Sequence, residues 1–194
     1  MLGHEGSGTV VECGPGVTGL APGDHVIPFS MPECGHSSGC RIPKTNYCDD
    51  PYPDMMSTET PFSFKGAPLA RFASLGTFAE FNVIKETHFA KVRRDAPLDV
   101  LCLICCGVAT GIGSVLDTAK VSRGSAVIVI GLGGIGLNVL QGARPAGAKR
   151  SIGVDVNATK ANAAQRCGAT EFVNAGDVGG VTASRSIRSM RDTT

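Results

Sequence analysis

Six residues in the second half of the chain, Gly131-Leu-Gly-Gly-Ile-Gly136, restrict the fold more than any other part of the sequence. An apolar segment, 125–130, comes directly before them, and a segment predicted to be helical, 137–146, follows. In this G-x-G-x-x-G pattern the first glycine permits a tight turn, the second lets a pyrophosphate approach the backbone, and the third lets the helix pack on the strand. An ordinary glycine-rich turn is the alternative, and the flanking strand and helix make it the weaker one. The candidate cofactor-binding glycines are Gly131, Gly133, Gly134 and Gly136.

Asp155 lies near the end of a second apolar segment, 151–156, about 20 residues beyond the glycine turn. A carboxylate at that place accepts hydrogen bonds from an adenosine ribose and repels a 2′-phosphate, which favours NAD over NADP. Lys160 is a further candidate for the ribose, and a solvated helix lysine is an equally good interpretation. A helix predicted at 158–167 gives the order strand, helix, strand, helix, which predicts a parallel sheet.

Residues 1 to about 97 differ in character, because short apolar runs there alternate with turns rich in glycine and proline. The predicted strands are 8–12, His25–Pro28 and 78–84, and residues 34–76 have the composition of loops. Residues 98–118 are compatible with a helix. The sequence therefore predicts an α/β fold in two parts, a small β-rich domain followed by a parallel sheet.

Charge and composition exclude several classes of function. The chain has 18 Lys+Arg and 17 Asp+Glu, a net charge of +1, and 42% hydrophobic residues. Because no cluster of Lys and Arg is present, binding to nucleic acid or to an acidic membrane surface is not expected. The uncharged segment 125–143 approaches the length of a membrane helix, but its central glycines fit a strand, a turn and a helix better.

The first residues contain neither the basic nor the apolar part of a signal peptide, so we expect a cytoplasmic protein with reduced thiols. In that compartment the eight cysteines are more often metal ligands or catalytic thiols than disulfides. Cys102, Cys105 and Cys106 lie together in an apolar stretch. We expect two of them in the core and one facing a cleft as a thiolate.

His4 and Glu5 lie among glycines directly before the first predicted strand. A catalytic zinc needs three protein ligands and one open position, and the sequence offers His4 and Cys106 without an evident third ligand. Glu5 is a candidate for a transient ligand or for a hydrogen bond to a ligand. Local hydrogen bonding is the alternative interpretation of both His4 and Glu5.

A second group of cysteines, Cys34, Cys40 and Cys48, has a spacing similar to that of a structural zinc loop. A closed structural site has four Cys or His ligands, so three thiolates bind zinc weakly unless His36 or water completes the set. A loop of reduced cysteines without metal is the alternative.

Together these motifs resemble the zinc-containing alcohol dehydrogenases of the medium-chain dehydrogenase/reductase family, over about residues 1–177. The signature G-H-E-x2-G-x5-G-x2-V matches 3–17, and the structural zinc loop matches 34–48 with Ser37 in place of one cysteine. Segments 43–46 and 153–156 are similar to the class III, or S-(hydroxymethyl)glutathione dehydrogenase, branch. The arginine that this branch uses for the glutathione carboxylate would follow Cys48, and residues 49–53 contain none.

The resemblance implies a partial GroES-like zinc-binding catalytic domain at 1–107, the first half of a Rossmann-type domain at 108–178, and an irregular tail at 179–194. It implies a catalytic Zn²⁺ held by His4 and Cys106 beside Glu5, and Thr110 near the nicotinamide of NAD. It also implies a degenerate structural zinc site at Cys34, Cys40 and Cys48.

The activity implied is hydride transfer from a primary alcohol, or from a hydroxymethyl-thiol adduct, to NAD. Members of the family are longer and form homo-oligomers, so the resemblance implies a chain truncated at both ends. It implies that a further zinc-ligand cysteine, the proton relay and most of the oligomer interface are missing, and we expect slow or no turnover.

Two alternatives differ in what they bind. One is a non-catalytic remnant that binds NAD or zinc. The other is a metal-free, NADP-dependent reductase of the same superfamily, which His4, Cys106 and Asp155 disfavour.

Overall fold

The computed structural model describes residues 1–42, 48–49 and 60–177, and the chain divides into two compact units at the boundary between Cys106 and Gly107. The described part of the first unit contains two short antiparallel sheets and short helices. Its strands are β1 (Gly8–Thr9), β2 (His25–Pro28), β3 (Ser63–Phe64), β4 (Ala67–Pro68) and β5 (Phe89–Val92). Its α-helices are α1 (Ser38–Arg41) and α2 (Leu98–Leu101), and a π-helical turn covers Ile104–Val108 at the unit boundary.

Strand β2 is the central strand of the larger sheet, whose order is β1-β2-β5. It buries Val26 and Ile27, and its bounds are those predicted from the sequence. Asp24, directly before β2, is only 2% exposed, and its carboxylate pairs with Lys91 Nζ at 2.7 Å and with Arg94 at 3.2 Å. This buried, paired carboxylate fastens the start of β2 to β5 and to the residues after it.

The prediction of a strand at 78–84 is wrong. Phe78, Phe81 and Val83 are each more than 70% exposed, and β5 instead provides the strand that pairs with β2. The Asn82 amide donates to the carbonyl oxygens of Leu75 and Gly76, which holds this segment in an irregular loop. An apolar run forms a strand only where a neighbouring strand satisfies its backbone groups, and the run itself does not reveal that neighbour.

Residues 34–76, predicted as loops, contain two short ordered features among the described residues. One is helix α1. The other is the hairpin of β3 and β4, whose two turn residues, Lys65 and Gly66, have φ of 52° and 80°. Positive φ at both central positions is typical of a tight hairpin turn.

The second unit contains the parallel sheet that the sequence predicts, with strand order β6-β7-β8. Its strands are β6 (Ala126–Ile130), β7 (Arg150–Asp155) and β8 (Glu171–Asn174). Its α-helices are α3 (Ala109–Gly113), α4 (Gly134–Ala143) and α5 (Ala161–Arg166). One buried cluster of this unit consists of Val129, Leu132, Leu140 and Ala164, so the residues of β6, the glycine turn, α4 and α5 pack together.

Three details of this unit differ from the prediction. Helix α4 begins at Gly134, three residues earlier than predicted, and ends at Ala143 before Pro145, which cannot donate a helical hydrogen bond. Strand β8 was not predicted, because it has only four residues and begins with a charged one. The charge is paired, since Glu171 lies 2.7 Å from the Arg150 guanidinium. Within residues 1–42, 48–49 and 60–177, every helix is too short or too polar to cross a membrane.

Candidate metal and dinucleotide sites

Three metal-ligating side chains meet at the start of the chain, in what we call the His-Glu-Cys cluster: His4, Glu5 and Cys106. His4 Nε2 lies 3.2 Å from Cys106 Sγ although the two residues are 102 positions apart. One ligand atom from each of the three residues lies within 4.8 Å of the others. Glu5, named from the sequence as a candidate for a transient ligand or for a hydrogen bond to a ligand, lies close to both His4 and Cys106.

The segment that carries His4 and Glu5 is fixed by backbone contacts with residues 77 and 78. The amide of Thr77 donates to the Gly3 carbonyl at 3.0 Å, and its hydroxyl donates to the Glu5 carbonyl at 2.9 Å. Gly3 has φ of +91°, and a Cβ there would lie 2.6 Å from the side chains of Thr77 and Phe78. Glycine is therefore required at position 3, and the tight fit places the His4 ring.

The segment that carries Cys106 packs against the other side of the same loop. The Ser7 hydroxyl donates to the Leu98 carbonyl, and the Cys105 thiol lies 3.7 Å from the His4 carbonyl oxygen. Burial raises the pKa of the Cys105 thiol. Of the three neighbouring cysteines, Cys106 is the one in the His-Glu-Cys cluster.

The donor set of this cluster, one imidazole nitrogen, one thiol sulfur and one carboxylate oxygen, fits a catalytic Zn²⁺. Such sites have three protein ligands and leave one coordination position for water or substrate. All three side chains are half-buried, so solvent-sized molecules have access to them. The Phe72 ring contacts the His4 ring edge-on, with 5.4 Å between centroids, and supplies an apolar side to the site.

The glycine turn between β6 and α4 has the geometry that a pyrophosphate requires. Gly131 has φ of +88°, and its amide donates to the Val154 carbonyl at 2.8 Å. A Cβ on Gly136 would lie 1.9 Å from the Gly131 carbonyl oxygen, so α4 contacts the turn directly. A Cβ on Gly133 or Gly134 would contact nothing within 4 Å. The turn is thus closed on the protein side and open at the N-terminus of α4, and helix N-termini of this kind suit the binding of phosphate groups.

Asp155, at the end of β7, is hydrogen-bonded to the turn. Its carboxylate accepts from the Asn157 amide at 2.9 Å and from the Leu132 amide at 2.7 Å. These bonds, first that of Asn157, lower the pKa of Asp155, and the positive charge of Lys160 lowers it further. The Val156 amide also contributes to the lowered pKa, and since a carboxylate accepts about four hydrogen bonds, acceptor capacity remains for a further donor.

Thr110 lies in α3 and is exposed. The next residue, Gly111, packs on α4, because a Cβ there would lie 2.4 Å from the Asn138 Cβ and 2.8 Å from the Ile135 carbonyl oxygen. Sequence reasoning treated Gly111 only as an interruption of a helix. Its closeness to α4 fixes the position of Thr110 relative to the helix that follows the glycine turn.

Cys34, Cys40 and Cys48 form a second group, the three-cysteine cluster. Their sulfur atoms lie within 4.8 Å of one another, and the pair Cys34 and Cys40 is separated by 4.0 Å. The amide of His36 and the hydroxyl of Ser37 are the main causes that lower the pKa of Cys34 to about 6, so this thiol is ionised at neutral pH. Thiolate is the form that binds metals.

His36, named from the sequence as a possible helper, is turned away from this cluster. Its Nδ1 atom pairs with the Cys34 carbonyl oxygen at 2.8 Å, and the group of ligand atoms found there contains the three cysteines alone among the described residues. The class III segment at 43–46 and most of the stretch 49–53 lie outside the described residues. All eight cysteines lie in the described part of the chain, and none of them forms a disulfide bond.

Residues 1–94 match the alcohol dehydrogenase GroES-like domain. The chain is 48% identical over 189 residues to the class-3 alcohol dehydrogenase of Cereibacter sphaeroides, and it covers 50% of that protein. The chain is a relative of the zinc-containing alcohol dehydrogenases. It is also 49% identical to the S-(hydroxymethyl)glutathione dehydrogenase of Paracoccus denitrificans, with 90% of this chain and 48% of that protein covered. It therefore spans about half the length of the curated relatives it matches.

Solved structures of zinc-containing alcohol dehydrogenase relatives have the same fold. An alcohol dehydrogenase zinc-binding domain protein from Burkholderia ambifaria has a TM-score of 0.84 and 34% identity, and covers 96% of this chain and 52% of its own. Benzyl alcohol dehydrogenase from Acinetobacter calcoaceticus has a TM-score of 0.80 and 32% identity, with 96% and 51% covered. The predicted family, its class III branch and the α/β fold class with a GroES-like part are confirmed.

Proposed function

We propose that this chain is the metal-binding and nucleotide-binding part of a zinc- and NAD-dependent alcohol dehydrogenase of the class III type. The observation that carries the proposal is the His-Glu-Cys cluster, because residues 102 positions apart bring imidazole nitrogen and thiol sulfur to 3.2 Å. The names of the most similar relatives supply the substrate class, a primary alcohol or the hydroxymethyl adduct of glutathione.

In this proposal His4 and Cys106 hold the Zn²⁺, and Glu5 is a third ligand or a group that adjusts the first two. When bound, Zn²⁺ supplies Lewis-acid chemistry for an alcohol group, and NAD supplies the hydride acceptor. Phe72 supplies an apolar contact beside His4, because the two rings pack in a T-shaped arrangement. The cluster is half-buried, so in this proposal the alcohol reaches it from solvent.

The same proposal gives the second unit the task of binding NAD. The open amides of Gly133 and Gly134 receive the pyrophosphate at the N-terminus of α4, while Gly131 and Gly136 shape the turn. Asp155, with its lowered pKa, accepts hydrogen bonds from the adenosine ribose as an anion and disfavours NADP, and Lys160 adds a polar contact. Thr110 orients the nicotinamide, as the resemblance implies.

We further propose that the substrate is a small molecule and that the protein works in the cytoplasm. Balanced charge supports the absence of nucleic acid as a partner, and eight free thiols support a reducing compartment.

The experiment is an assay of NADH formation with formaldehyde plus glutathione, and separately with ethanol, in the presence of Zn²⁺. We expect the wild-type chain to form NADH slowly. We expect Cys106→Ser to lower the rate of NADH formation by roughly 100-fold, since a metal ligand is lost. Cys13→Ser is the matched control, because Cys13 is also a half-buried free thiol but contacts only the Leu20 carbonyl. The predicted slow turnover is tested in the same assay.

Robust NADH formation by the wild-type chain supplied with Zn²⁺ would contradict the expectation of slow or no turnover. NAD binding without any NADH formation would agree with that expectation and would favour the non-catalytic binding remnant over an active dehydrogenase. Equal rates for Cys106→Ser and the wild type would instead remove Cys106 from the site.

A further inference from the structure

The three-cysteine cluster does not have the donor set of a closed structural zinc site. Such a site has four Cys or His ligands, and here Ser37 stands at the position where the spacing calls for another cysteine. The question is whether the Ser37 oxygen replaces the missing sulfur.

The hydrogen bonds of Ser37 show that its oxygen is already committed. The hydroxyl oxygen accepts from the amide of Cys40 and from the amide of Asp49, each at 3.3 Å, and so caps helix α1. Its hydrogen points to Cys48 Sγ, at 3.9 Å. A hydroxyl has one donor and two acceptor lone pairs, so the two amides take both lone pairs, and the one hydrogen is shared between the sulfur atoms of Cys48 and Cys34. Ser37 can bind a metal only if it releases the cap.

The neighbouring polar side chains are engaged elsewhere as well. His36 Nδ1 pairs with the Cys34 carbonyl, and the Asp49 carboxylate accepts from the Ser38 hydroxyl and, at 2.9 Å, from the Gly39 amide. The described residues therefore offer three sulfur ligands and a fourth position without a protein ligand.

We propose that Cys34, Cys40 and Cys48 form a three-thiolate site with an open fourth position, suited to a soft ion that three thiolates satisfy, Cu(I), and holding Zn²⁺ only weakly. Thiolates select soft ions such as Cu(I), whereas Zn²⁺ in structural sites demands four ligands. In this account Ser37 is a helix cap that supports the thiolates by hydrogen bonding and is not a ligand.

The test compares the affinity of the full chain for Zn²⁺ with its affinity for Cu(I). Each affinity is measured in the absence of oxygen by competition with a chromophoric chelator. All variants carry Cys106→Ser, which removes the His-Glu-Cys cluster. We expect Ser37→Cys to strengthen Zn²⁺ binding roughly tenfold or more, because it completes the four ligands. Cu(I) affinity should change by less than about threefold, since Cu(I) already has its three thiolates. Cys40→Ser should lose both ions.

A second variant, Ser37→Asn, distinguishes the role of Ser37 as a helix cap from a role as a metal ligand, because asparagine also caps helices well. We expect it to leave Zn²⁺ affinity unchanged within about threefold. Cobalt substitution gives an independent reading, since the intensity of the sulfur-to-cobalt absorption should rise from three thiolates in the wild type to four in Ser37→Cys.

The proposal is overturned if Ser37→Cys raises the affinities for Zn²⁺ and Cu(I) by the same factor, or if it raises neither affinity. It is equally overturned if Ser37→Asn weakens Zn²⁺ binding as much as Cys40→Ser does. It is also overturned if the wild-type chain binds neither ion. If Ser37→Cys does not fold, the Ser37→Asn affinities and the wild-type cobalt spectrum still decide. None of these outcomes depends on the dehydrogenase activity.

Discussion

At the scale of single residues, the His-Glu-Cys cluster depends on a glycine that carries no chemistry. Gly3 adopts φ of +91° and has no room for a Cβ between Thr77 and Phe78. The sequence identified His4 and Cys106 as candidates, but it did not show that Glu5 lies with them, because that depends on how this loop is held.

Gly3→Ala should lower the free energy of unfolding by roughly 1–3 kcal/mol, because the residue must either keep a strained φ or move the loop. If the loop moves, His4 leaves Cys106 and the cluster loses its metal. Gly8→Ala is the control, since a Cβ there meets nothing within 4 Å and φ is not positive. Urea unfolding and metal analysis check both effects, and equal zinc content in the two variants would contradict the role given to Gly3.

A second prediction at the scale of single residues concerns Asp24 and the stability of the protein at low pH. The Lys91 ammonium, the Ala21 amide and the Arg94 guanidinium lower the pKa of Asp24 to about 2, below its ordinary 3.8. Because the folded-state pKa is the lower one, the stabilisation is fully present above about pH 4 and is lost as the pH falls toward 2. Asp24→Asn should therefore unfold at a lower temperature than the wild type at pH 6, and the gap should close near pH 2. If the difference in unfolding temperature between the wild type and Asp24→Asn stayed the same from pH 6 to pH 2, the prediction would be contradicted.

At the scale of elements, the glycine turn and its helix were predictable because each glycine in the pattern has its own steric reason. Strand β2 was predictable for a similar reason, as Val26 and Ile27 follow directly on a turn. Strand β8 and the loop at 78–84 were not predictable from the sequence, because a strand is defined by its partner strand as much as by its own residues. Helix α4 ends at Ala143, three residues before the predicted end, because Pro145 cannot donate a helical hydrogen bond.

The two kinds of glycine in this turn should respond differently to substitution. Gly136→Ala should destabilise the protein by roughly 1–3 kcal/mol, because its Cβ would collide with the Gly131 carbonyl oxygen at 1.9 Å. Gly133→Ala should leave stability nearly unchanged, since its φ is −75° and its Cβ meets nothing, yet weaken NAD binding because the methyl group enters the phosphate position. Thermal unfolding and calorimetry with NAD separate the two, and tight NAD binding by Gly133→Ala would place the pyrophosphate elsewhere.

Asp155→Asn tests the end of β7. Loss of the charge should weaken NAD binding roughly tenfold and reduce the preference for NAD over NADP, because repulsion of a 2′-phosphate is lost. The dissociation constants for both nucleotides check this. An unchanged ratio of the dissociation constants for NAD and NADP would mean that Asp155 only accepts the hydrogen bonds of Leu132 and Asn157 and does not select the nucleotide.

At the scale of the whole molecule, the two units hold the two proposed sites separately, metal in the first and nucleotide in the second. The residues of the first site come from the two ends of their unit, at positions 4, 5 and 106. Local patterns do not show that residues so distant in sequence meet. Residue type already offered His4 and Cys106 as zinc ligands, and the resemblance implied that they hold the same ion. The chain's match to about half of each relative leaves activity as the proposal to be tested.

The most direct test of the His-Glu-Cys cluster is the zinc content of the purified chain in a Cys40→Ser background, which disables the three-cysteine cluster. With Cys13→Ser added as the control, we predict about one equivalent of zinc per chain, and with Cys106→Ser added, almost none. Equal zinc content in the two variants would show that Cys106 does not hold the ion and would contradict the account.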